Sequence, residues 1–145
     1  MLDPAVAARP LRALWGAVTA GGLSALGVLT VLGATQDAPP MASQADAAFY
    51  ACALYGVVAL AAGFALLRRM ETRAAAAPSE AAALATVRGH GVAALAAVES
   101  SAVLAGLVVF ATGNVLAVAF GVPLAAFAWL TWPTAARVAS WLGRR

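Results

Sequence analysis

Charge is what this sequence has least of. Only 10% of its 145 residues are charged, where a soluble domain carries about a quarter. A water-facing surface cannot be covered at that density. Lysine is absent, and every basic residue is arginine. We read that absence, like the abundance of alanine, as compositional habit rather than chemistry. One cysteine, Cys52, excludes an intramolecular disulfide, and within an apolar run it is a small packing residue. One histidine, His90, cannot build a metal centre or a two-ligand haem site by itself. Between two glycines and near Arg88, it is expected at the membrane surface, and a quinone or pH-sensing role is the sharper alternative. No Ser-His-Asp set, HExxH, CxxC, Walker or GxGxxG pattern occurs. The expectation is a protein that is not an enzyme, with no cofactor and no metal.

What is present is hydrocarbon. The chain is 63% hydrophobic, with a mean hydropathy of +0.89, and is therefore read as an integral membrane protein. A spanning helix needs about twenty apolar residues. Four segments qualify: Ala13 to Ala34, Ala48 to Leu67, Gly91 to Thr112 and Val115 to Trp132. The loop at 35–46 contains Pro39 and Pro40, and the loop at 68–80 contains charges and Pro78, so neither continues a helix. The connection at 112–114 is short. Gly113 suits a left-handed helix end and Asn114 an N-cap. The fold class is thus all-α, one transmembrane domain over 1–145, with four helices as two antiparallel hairpins.

Arginine placement sets the orientation. Arg9 and Arg12 precede the first helix; Arg68, Arg69, Arg73 and Arg88 lie between the second and third; Arg137, Arg144 and Arg145 follow the fourth. All nine fall on one side, whereas the loop at 35–46 holds Asp37 and Asp46. Both termini are expected in the cytoplasm, with the protein in a bacterial inner membrane. Because orientation accounts for the arginine excess, nucleic acid is not an expected partner. Trp15, Trp129 and Trp132 fall at cytoplasmic ends as interface anchors, and Phe49 and Tyr50 at the outer start of the second helix. A cleaved signal peptide is the rival reading of the first segment, but its core is long and Leu32 sits poorly before a cut.

Two flanking pieces are also helical in pattern. Residues 79–90 have Ser79 as N-cap and Glu80 in the first turn. They either extend the third helix or bend at Gly89, His90 and Gly91. The amphipathic tail, 134–145, puts Val138, Trp141 and Leu142 on one face. It is expected to lie on anionic lipid with Trp141 as anchor, and docking to a partner is the alternative. Pro123 is mid-span in the fourth segment. It removes a hydrogen bond to the Ala119 carbonyl and predicts a kink or hinge. Small residues four apart, such as Ala17, Gly21 and Ala25, or Ala97, Ser101 and Ala105, support close helix packing.

Glu99 stands out within "ALAAVESSAVLAGLVVFATGN". It lies about fourteen residues from the outer turn, roughly 21 Å at helical rise, inside a hydrocarbon core about 30 Å thick. Gly21, Gly22, Gly63 and Ala128 fall at similar depth. An acid there costs roughly 2.5–3.5 kcal/mol, so it is protonated or paired. Candidate partners are Ser100, Ser101, Ser24 and Arg68, in which case Glu99 is structural. The functional alternative is a proton or ion site.

"AAVESSAVLAGLVV" resembles the carboxylate helix of rotary ATPase proteolipid (c-type) subunits. That resemblance implies Glu99 as a proton or sodium carrier in a ring of copies. In proteolipids, however, the acid is on the second helix of a hairpin with a polar cytoplasmic loop; here it is on the first helix of the second hairpin. Small multidrug exporters also have four helices and one glutamate, but in their first helix. The overall look is that of small bacterial four-helix membrane proteins. The leading expectation is a non-catalytic subunit or accessory protein of a larger membrane assembly. Its partners are then the lipid bilayer and other membrane subunits or further copies of itself. A proteolipid-like translocating subunit is second, and a small transporter third.

Overall fold

The computed structural model describes residues 3–143. Every regular element among them is helical. In chain order these are α1 (Pro4–Ala34), a short 3-10 turn (Ala42–Gln44), α2 (Ala45–Ala75), α3 (Glu80–Thr112), a 3-10 segment (Val115–Gly121), α4 (Val122–Leu130) and α5 (Ala135–Trp141). Three of these, Pro4–Ala34, Ala42–Ala75 and Glu80–Thr112, are long and apolar enough to cross a membrane. A fourth exists if Val115–Leu130 and Ala135–Trp141, bent by 78°, count as one span.

The long helices overrun the apolar segments because their ends are well made. Asp3 caps α1, its carboxylate accepting from the Ala5 N–H at 2.8 Å, and Pro4 starts the helix where no N–H is required. Ser79 caps α3, accepting from Ala82. Gly113 ends α3 with φ 73°, its N–H returning to the Val109 carbonyl. The loop between α1 and α2 closes over that end: Gln36 donates to the Phe110 carbonyl and the Met41 N–H to that of Ala111. Carbonyls left open by the helix terminus are thereby satisfied.

α3 is the central helix. Half of its most apolar stretch is buried, against 17% for α1 and α2. α1 and α2 flank it and turn Val28, Val31, Leu54, Val57 and Val58 outward, as lipid-facing helices do. α1 and α3 run parallel with a nearly constant offset. Trp15 lies at Gly91, Gly22 at Glu99, Leu26 and Leu29 at Gly106, and Gly33 at the backbone of Val109 and Phe110. At each level a glycine on one helix receives a larger group from the other, spaced about two turns apart as in heptad packing. α3 runs unbroken through Gly89–Gly91, and at Gly91 any side chain would collide with the Trp15 ring.

The last segment differs from the expected helix over 115–132. It is 3-10 as far as Gly121 and α-helical only to Leu130. Pro123 is therefore not a mid-helix kink but sits in the first turn of α4. The Ala119 carbonyl that Pro123 cannot serve is taken by the Val122 N–H in the tighter 3-10 pattern. Gly121 lies against Leu26, leaving no room for a side chain. At roughly 2.0 Å rise per 3-10 residue and 1.5 Å per α residue, the two pieces together cover about 27 Å. That length approaches the thickness of a bilayer's hydrocarbon core, about 30 Å.

Two expected interface anchors are interior instead. Trp15 is fully buried, its indole N–H donating to Thr131 Oγ1 at 3.2 Å. Trp141 is buried beside it, ring centroids 6.3 Å apart. The apolar face of the tail is not free for lipid, because α5 folds back and packs Val138 and Trp141 into the core against α1. Arg12 Nε donates to the Pro133 carbonyl and Arg137 to that of Trp132, holding the bend. Trp132 is half-buried, Trp129 is 82% exposed, and Arg144 and Arg145 lie outside the described residues. Trp15→Ala should destabilise the protein in detergent by about 3–5 kcal/mol, whereas Trp129→Ala should change it by less than about 0.5 kcal/mol. Equilibrium unfolding of the two variants in mixed micelles measures the difference.

Candidate functional site

Glu99 is half-buried on α3 and leans toward α1. Its side chain occupies space that Gly21 and Gly22 leave free. A Cβ on Gly22 would come within 2.6 Å of Glu99 Cγ, and one on Gly21 within 3.2 Å of its Oε1. The small groups that admit the acid are therefore on the neighbouring helix rather than on α3 itself. Leu124 of α4 closes the inner side, 2.9 Å from the same Gly22 position.

The serines do not serve the carboxylate. Ser100 Oγ donates to the Ala97 carbonyl at 2.7 Å, and Ser101 Oγ to the Val98 carbonyl at 2.6 Å. A hydroxyl has one proton, and in apolar surroundings it is spent on the helix's own carbonyls. Ser24 is exposed on α1. Arg68 lies at a separate surface groove with Arg69, Thr72 and Arg73. Glu99 makes no hydrogen bond or ion pair among the described residues.

On its other side Glu99 opens to an uncovered groove of about 540 Å³. Tyr55 of α2 and Ala96, Glu99, Ser100, Val103, Leu104 and Leu107 of α3 line it. These α3 positions lie on the side of the helix opposite buried Val98, Ala105 and Val109. The groove is nearly all apolar, with two polar features. One is Glu99. The other is the Tyr55 hydroxyl, 2.8 Å from Ser100 Oγ. Since Ser100 already donates to Ala97, Tyr55 is the donor to Ser100, and the Tyr55 oxygen keeps its lone pairs for an incoming donor. Tyr55 escapes a reading of the sequence because only the antiparallel register of α2 and α3 brings it to Ser100.

His90 is bonded to Arg73, Nη1 to Nε2 at 2.9 Å, away from Glu99. No three His, Cys, Asp or Glu side chains converge among the described residues. The arrangement offers one acid, one phenol and an apolar track, groups that can hold a polar side chain. No known protein family, curated protein or solved structure matches the chain.

The glycine pair gives a direct test. Gly22→Val should force Glu99 out of its seat and cost about 1–3 kcal/mol by overpacking. Gly27→Ala, where nothing lies within 4 Å, should be neutral or stabilise by up to about 1 kcal/mol. Thermal unfolding in one detergent compares them, and Glu99→Ala in the Gly22→Val background should recover part of the loss.

Proposed function

We propose that this chain is a small non-catalytic subunit of a larger membrane assembly, which it joins by presenting Glu99 to a helix of another subunit. The observation that carries the reading is an acid with built room and no partner of its own. Gly21 and Gly22 accommodate the side chain, yet no hydrogen-bond donor within the described residues meets it. An unpaired acid at membrane depth is costly. A basic or hydroxyl side chain from a helix lying in the groove would remove that cost, and Tyr55 offers such a helix a second polar contact.

The setting is a bacterial inner membrane with four spans and both termini in the cytoplasm. Arg12, Arg73 and Arg137 belong to the end of the bundle that carries Trp132 and His90, and the arginine bias of the sequence favours that end inside. A second reading, proteolipid-like translocation of protons or sodium, draws on the same opening of Glu99 to the groove.

Replacement of Glu99 separates the two. Glu99→Gln and Glu99→Leu should fold as well as the parent but lose a distinct membrane partner on purification in mild detergent. A cysteine at Leu107, in the groove, should cross-link that partner, and one at Val58, on the lipid face, should not. A homogeneous ring of this chain alone, with ion flux lost on carbodiimide labelling of Glu99, would overturn the accessory reading in favour of translocation.

A further inference from the structure

A second feature lies at the far end of α2 and does not involve Glu99. The apolar run of α2 ends at Leu67. Arg68, Arg69, Thr72 and Arg73 then follow on its outward face, opposite buried Leu67, Met70 and Ala74. Together they line a shallow groove of about 260 Å³. The three guanidinium groups meet no carboxylate among the described residues. Thr72 donates to the Arg68 carbonyl at 2.8 Å, which leaves its oxygen outward but its proton spent. Arg73 is held in place, one of its N–H groups donating to His90 Nε2 at 2.9 Å. That bond takes one N–H of the guanidinium and leaves its other N–H groups for an incoming oxygen.

Three arginines around one hollow, none meeting a carboxylate among the described residues, suit an anion. Guanidinium forks match phosphate oxygens in pairs. The position of the hollow, immediately beyond an apolar span, is where lipid headgroups lie. The same face of α2 continues into the hydrocarbon as Ala61, Ala62 and Ala65, all exposed and small, with the larger Val58 and Phe64 beside them. A strip of alanines beneath an arginine hollow fits a chain beneath a phosphate.

We infer that this face of α2 is a binding site for one anionic phospholipid, its phosphate among Arg68, Arg69 and Arg73 and an acyl chain along Ala61 and Ala65. The site is specific in two ways that a merely positive surface is not. Arg88, exposed at the same end on α3, does not line it. The alanine strip requires an attached acyl chain.

Native mass spectrometry of the delipidated full-length protein, titrated with dioleoyl phosphatidylglycerol, tests this. The lipid should bind the parent with a first site well separated from later ones, and dioleoyl phosphatidylcholine should not. Arg69→Ala and Arg73→Gln should each weaken that site about fivefold, the effect of one arginine at a headgroup. Arg88→Gln should leave it unchanged. Ala65→Trp, on a face that packs against nothing in the chain, should weaken the lipid but not inorganic phosphate. Equal losses from Arg88→Gln, or equal binding of the zwitterionic lipid, would overturn the site. Inorganic phosphate binding as tightly as the lipid would replace it with a site for a soluble anion and so overturn the lipid assignment.

Discussion

The Trp15 indole sits where a side chain on Gly91 would have to be, and the rest of the bundle is registered from that contact. One ring touches three parts of the fold at once: α3 through Gly91, the turn after α4 through Thr131, and α5 through Trp141. Water provides little drive for helices to associate within lipid, so close packing and hydrogen bonds must hold them. Trp15 supplies both. It fixes how far α1 is slid along α3, and the offset it sets is repeated at Glu99, at Gly106 and at Val109.

Within that series Glu99 is the exception in kind. The other levels are filled by leucines, an indole or backbone. This one is filled by a carboxylate resting on two glycines, with its far side open. The register therefore commits the chain to holding an acid at this depth. Moving it would mean unseating Trp15, about two turns away along the same pair of helices, so the polar site and the apolar lock are mechanically one object.

Much of this was legible in the sequence. The three long spans, the clustering of arginines and the turn at Gly113 follow from hydropathy, charge and a residue that tolerates positive φ. Gly21 and Gly22, level with Glu99 by helical rise, are the glycines that receive it. What was hidden depended on partners far away in sequence. A tryptophan near a span end suits the interface equally well as the interior, and only Thr131, accepting its N–H, makes burial acceptable for Trp15. Trp141 looked like a lipid anchor because its helix is amphipathic, but an amphipathic face packs as readily on protein. Pro123 appeared to break a helix that the chain does not attempt to form as α there. Ser100 and Ser101 looked like donors to Glu99, yet each had an acceptor closer at hand in its own helix.

The 3-10 segment from Val115 to Gly121 has a consequence for how the molecule meets bilayers of unequal thickness. Seven residues at the 3-10 rise are about 3.5 Å longer than the same residues at the α rise. Membranes differ from one another by a few ångströms. A segment of this kind changes its length by that amount on rewinding, whereas a helix of fixed length meets a thickness difference by tilting. Slack of this sort sits beside Leu26, in a segment that lines no part of the Glu99 groove.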